Sequence, residues 1–76
     1  MNKDRRSRIA DLIDRAEAIK VELEDILNEE QEYYDNMPEG IQSSEKGDKA
    51  QEAIDALEEA KDSLDTVTDS LHTAME

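Results

Sequence analysis

The chain contains no cysteine, so no disulfide holds it together. In 76 residues that leaves regular helix packing, a metal or a partner to supply stability. The absence also fits a reducing compartment. No run approaches the roughly 20 apolar residues of a membrane span. The segment after Arg8 is acidic and amphipathic where a signal peptide would have an apolar core, so a cytoplasmic protein is expected. Proline occurs once and glycine twice, and all three fall between Pro38 and Gly47. Only one place in the chain is therefore marked for a break. Basic residues are scarce as well, with none between Lys20 and Lys46.

The groups that carry catalysis are missing in the combinations that catalysis needs. Ser7, Ser43, Ser44, Ser63 and Ser70 have no base at a useful spacing, and Gly40 and Gly47 stand alone rather than in a phosphate-binding loop. Asp69 and His72 have the carboxylate-x-x-His spacing of metal sites in helix bundles. The motif has no second copy, and His72 follows Leu71 onto the outer face, which makes it a surface histidine. Asp35 to Gly40 lacks the alternating ligands of a calcium loop. The expectation is a protein that is not an enzyme, with no catalytic residue, no metal and no cofactor.

What the chain has in excess is acid: 22 aspartates and glutamates against 9 lysines and arginines, a net charge of -13. Such a field repels nucleic acid and anionic lipid and attracts basic protein surfaces. Acidic, low-aromatic chains are often disordered, so periodicity decides. From Ile9 the spacing alternates three and four through Leu12, Ala16, Ile19, Leu23, Ile26, Glu30, Tyr33 and Met37, with Ile13, Leu27 and Tyr34 in a second line interrupted by Lys20. The second half repeats it through Ala50, Ala53, Leu57, Ala60, Leu64, Val67, Leu71 and Ala74, flanked by Ile54, Lys61, Thr68 and Met75. These ladders predict one all-α domain over residues 1–76, an antiparallel helical hairpin or coiled coil with helices over 4–36 and 44–74 and a turn over 37–43.

In the turn, Pro38 disfavours helix at Met37, Gly40 permits a positive φ, and Ser43 or Ser44 can cap the second helix. With Gly40 at the apex, facing residues sum to about 80, which sets Ile9 near Leu71, Leu23 near Leu57, and Glu30 within reach of Lys46 or Lys49. Lys3, Arg5, Arg6 and Arg8 are then expected beside the C-terminal end of the second helix, near Asp69 or Glu76. The wide apolar stripe leaves Ile13, Leu27, Tyr34, Ile54 and Met75 uncovered, and a homodimer forming a four-helix bundle would cover them. A docked protein partner is the alternative use of the same stripe.

Two sets of candidate binding residues follow. One is an acidic face of Glu22, Glu24, Asp25, Glu29, Glu32, Asp35, Glu52, Asp55, Glu59 and Asp62, spaced along rods about 45 Å long at a rise of 1.5 Å per residue, which suits imitation of a duplex phosphate track. The other is the turn, where Tyr33, Tyr34, Met37 and Ile41 offer apolar anchors. Residues Glu29, Glu30, Gln31, Glu32, Asp35, Asn36, Met37, Pro38, Glu39, Gln42, Ser44, Glu45 and Gly47, followed by the run from Glu52 to Ala60, resemble a recurrent motif of small acidic proteins encoded by tailed phages and prophages. The likeness spans about half the chain and departs at Asn28. It implies a phage origin, action in the host cytoplasm, and a role as an anti-defence inhibitor of a host nucleic-acid-binding or defence protein. The expected partner is a protein with a basic surface, with no direct contact to nucleic acid or membrane. The alternative is a structural or assembly module that binds a protein through its turn and second apolar stripe.

Overall fold

The computed structural model describes all 76 residues as an all-α hairpin: α1 spans Lys3–Asp35, α2 Glu39–Gln42 and α3 Glu45–Met75. It is a rod of 58 × 15 × 12 Å in which α1 and α3 pack along each other. α1 begins at Asn2, whose side-chain oxygen accepts the Arg5 N–H at 2.8 Å. It ends where Pro38 excludes helical geometry from the preceding residue. Met37 then turns inward and is buried, and the Pro38 carbonyl accepts the N–H groups of Ile41 and Gln42 at 2.9 and 3.0 Å to form the single turn of α2. The Gln42 side-chain amide donates at 3.0 Å to the Tyr34 carbonyl, which also accepts the Met37 N–H at 3.1 Å, and so ties α2 to the end of α1.

This corner differs in detail from the turn expected from sequence. No residue has a positive φ, and Gly40 is an ordinary helical residue of α2. Ser44 holds the N-cap position of α3 without capping it: its hydroxyl donates backwards to the Ile41 carbonyl, as that of Ser43 does to Glu39. The glycine that the fold requires is Gly47. It is buried, and a Cβ added there would lie 2.0 Å from the Gln42 carbonyl oxygen. The backbone of α2 thus rests directly on the first turns of α3.

The seam runs along a different line from the one expected. With Ile13 taken as heptad position a, the helices meet through a and d: Ile13, Lys20, Leu27 and Tyr34 with Ile9, Ala16, Leu23 and Glu30 on α1, all buried or half-buried. On α3 the same positions are Gly47, Ile54, Lys61, Thr68 and Met75 with Ala50, Leu57, Leu64 and Leu71. Ile54, at 2% exposure, and Ile13, at 7%, anchor the core, although sequence periodicity left both without cover. The residues left outside instead sit at position g: Leu12, Ile19, Ile26 and Tyr33, each between 45 and 52% exposed.

Two lysines explain the difference. Lys20 and Lys61 interrupt the a lines and make them look less apolar than the g lines, yet each crosses the seam to a carboxylate of the other helix. Lys20 meets Asp65, and Lys61 meets Glu24 at 3.6 Å. Their hydrocarbon stems cover the seam while their ammonium groups reach its edge. The hydrogen bond that the Lys20 ammonium donates to the Asp65 carboxylate, with the negative charge around it, holds the Lys20 pKa above its ordinary 10.5 despite partial desolvation. Half-exposed pairs of this kind add little stability, but they specify which residues face each other.

Both ion pairs join residues whose numbers sum to 85, and the buried a and d positions pair at 84, so the register lies one helical turn from the expected 80. α3 overshoots the end of α1 by about one turn and α2 folds under the overhang. At the other end α1 overshoots α3, and residues 1–8 are all exposed. Lys3, Arg5 and Arg6 make no ion pair, and Arg8 pairs within its own helix with Asp4 at 3.9 Å, not with Asp69 or Glu76. Glu30 has no cation partner either: Lys49 pairs with Glu45 at 3.8 Å, and Lys46 stands 5.8 Å over the Tyr33 ring. Glu30 therefore holds a half-buried d position unpaired, opposite Ile54. Glu30→Leu should raise the unfolding free energy by about 1 kcal/mol in urea denaturation, and a loss of stability would contradict this placement.

Candidate protein-interaction surfaces

The a/d seam divides the remaining surface into sides of different chemistry. Positions b, e and f carry nearly all the acid. On α3 these are Glu45, Asp48, Glu52, Asp55, Glu58, Glu59, Asp62, Asp65 and Asp69, and on α1 they include Asp11, Asp14, Glu17, Glu24, Asp25, Glu32 and Asp35. Positions c and g of α3 read instead Lys46, Lys49, Ala53, Ala56, Ala60, Ser63, Val67, Ser70 and Ala74, two cations followed by an uncharged stripe to the end of the helix.

Of the expected acidic face, Asp25, Glu32, Asp35, Glu52, Asp55, Glu59 and Asp62 are exposed on this acidic back, with Asp35 and Asp55 accepting from Gln31 and Gln51 one turn away. Glu24 is occupied by Lys61 and so serves the fold first. Glu22 and Glu29 are also exposed, but at position c, on the edge of the apolar side. Only five of the 22 carboxylate side chains, Asp4, Asp11, Glu24, Glu45 and Asp65, form ion pairs, which leaves 17 without one. Three of the five pairs are exposed i,i+4 contacts that neutralise little.

The four turn residues separate. Tyr33 and Ile41 are exposed and, with Asn36, Met37, Pro38 and Lys46, line an open hollow of about 370 Å³. Tyr34 is half-buried in the seam, and Met37 plugs the corner. Met37 is thus a structural residue: truncating it would loosen the turn before it weakened any contact with a partner.

Sequence reasoning missed the apolar g side as a surface, having assigned it to the core. Leu12, Ala16 and Ile19 of α1 and Leu64, Val67 and Leu71 of α3 line a shallow groove of about 410 Å³ along it. Arg15 borders this groove, held to Asp11 at 3.7 Å. The signal that could have found it is the b/e/f clustering of the acids, which marks the opposite flank as the one that avoids charge. No group of three or more His, Asp or Glu side chains converges as a metal site would require, and His72 is exposed at the acidic e edge. No helix is long and apolar enough to cross a membrane. Comparison with protein-family models, curated proteins and solved structures finds no match to the chain.

Proposed function

We propose that this chain is a non-enzymatic binding protein of the phage type that associates with itself into a four-helix bundle and presents its acidic back to a basic protein surface. By occupying that surface it excludes nucleic acid from a host nucleic-acid-binding or defence protein. The observation that supports this reading most directly is the segregation of charge: unpaired carboxylates cover the b, e and f positions of both helices, and the c and g side of α3 is almost free of them.

Charge density argues for the dimer as the active form. One chain carries -13 over 58 Å, about one charge per 4.5 Å of rod, against one per about 1.7 Å of axis for duplex DNA. Two chains side by side double the density to about one per 2.2 Å, close to that of a duplex.

The test is competition. A target captured by the immobilised protein should be released by duplex DNA and by rising salt, and its own DNA binding should be abolished by saturating protein. A captured target whose DNA binding is unaffected removes the mimicry. The second reading, an assembly module, is favoured by the exposed g side and the hollow at Tyr33 and Ile41. It requires capture that is insensitive to salt and lost in Tyr33→Ala.

A further inference from the structure

The g side has one property that bears on how two copies meet: charge is distributed very unevenly along the rod. Cut between the facing residues Lys20 and Leu64, the open half (residues 1–20 and 64–76) holds six lysines and arginines and seven acids, a net -1. The turn half (residues 21–63) holds three basic and fifteen acidic side chains, a net -12. On α1 the edge of the g side repeats this polarity at position c, with Arg8 and Arg15 in the open half and Glu22 and Glu29 in the turn half, while the cations of the α3 edge, Lys46 and Lys49, lie in the turn half.

We infer that the occupant of the g side is a second copy of this chain in head-to-tail orientation, with the nearly neutral open half of each copy over the acidic turn half of the other. This rests on the self-association proposed above and adds its geometry. Two symmetric arrangements bring g sides together while keeping every neighbouring helix pair antiparallel. In one, the dyad runs along the rod and α1 lies over the partner's α3, so the two -12 halves are stacked within a screening length of about 8–10 Å. In the other, the dyad crosses the rod and α1 lies over its own copy, so each -12 half meets a -1 half.

The crossed dyad also satisfies the side chains. With its centre between Ile19 and Ile26, Leu12 meets Tyr33 and Ile19 meets Ile26, and Arg15 comes beside Glu29. On α3 the same operation sets Ala56 near Val67 and Ala53 near Ser70. Large residues then meet across the α1 pair and small ones across the α3 pair, a difference that interaxial distances of about 8–10 Å accommodate. Leu12 to Tyr33 spans about 31 Å at 1.5 Å per residue, and across two helices about 20 Å wide the contact approaches 600 Å² per copy. That is at the lower end of stable interfaces, so dissociation in dilute solution is expected.

The absence of cysteine gives a clean experiment. Light scattering over a concentration series should first show twice the 8.6 kDa chain mass. Leu12→Cys and Tyr33→Cys variants, mixed under thiol exchange, should form a disulfide-linked dimer, and neither should do so alone. Arg15→Glu should weaken association about 10-fold, and adding Glu29→Arg should restore it. Mixed Ile19→Cys and Val67→Cys variants report the alternative dyad. Cross-linking of that pair between chains, without the first, overturns the head-to-tail orientation but leaves the dimer standing. A single-chain mass at millimolar concentration, with helicity intact, overturns both and leaves the apolar side to a foreign partner.

Discussion

Gly47→Ala should lower the melting temperature of the protein by about 10 °C, and the same substitution at Gly40 should raise it by a few degrees. Both glycines are helical, so alanine gains about 1 kcal/mol of helix propensity at either site. At Gly40 nothing lies within 4 Å of the new methyl group, and the gain is kept. At Gly47 the methyl carbon would lie 2.0 Å from the Gln42 carbonyl oxygen and 2.5 Å from its carbon. These are backbone atoms, held by the bonds from Gln42 to Pro38 and Tyr34, and they cannot rotate aside. Moving the corner costs about 3 kcal/mol, as overpacking does, for a net loss of about 2 kcal/mol. For a domain of this size that corresponds to about 8–16 °C. Circular dichroism melts of the two variants check it; equal shifts of the same sign would remove the close approach of α2 to α3.

Ile54→Ala should be the most damaging truncation in the chain, by about 3 kcal/mol, because it empties the one large side chain that is fully buried. Ile19→Ala removes the same atoms from a residue 52% exposed and should cost under about 1 kcal/mol at concentrations where the chain is monomeric. The comparison separates the two possible seams. If g and d formed the core, as periodicity suggests, the order of the two effects would reverse. Urea denaturation of both variants at low micromolar concentration, repeated at high concentration, also shows whether Ile19 acquires a cost once chains associate.

How much of this was legible in the sequence depends on the level. Two long amphipathic helices and one break follow from alternating three- and four-residue spacings and from the confinement of Pro38, Gly40 and Gly47 to one segment. The choice of seam does not follow, because positions a and g both lie beside d and both are mostly apolar. Lys20 and Lys61 weigh against a in any hydropathy count, yet the fold favours it, since each lysine finds a carboxylate and Gly47 lies on the a line where α2 must land. The register was misplaced for a related reason. Centring the turn on Gly40 assumes a symmetric connection, whereas α2 packs chiefly on the first turns of α3 and shifts the pairing by a turn. The exposed acids could be read from spacing, and spacing also sets Met37 at the end of the seam, but the corner that encloses it is built from hydrogen bonds of Pro38 and Gln42 that no periodicity encodes.

The lysine pair at mid-seam also partitions the rod. On one side of it Leu27, Tyr34, Met37, Ala50, Ile54 and Leu57 form a compartment closed by the corner, and on the other Ile9, Ile13, Ala16, Thr68, Leu71 and Met75 form one whose far end is open. The two helices are one covalent unit at the corner and separate strings at the tips, so unzipping starts at the tips, where residues 1–8 are already exposed, and must uncover Ile13, Ala16 and Thr68 before it reaches Lys20 and Lys61. Amide protons beyond that layer should exchange by fraying, and those between it and the corner only by global unfolding. The half that carries most of the negative charge is thereby also the half that keeps its shape.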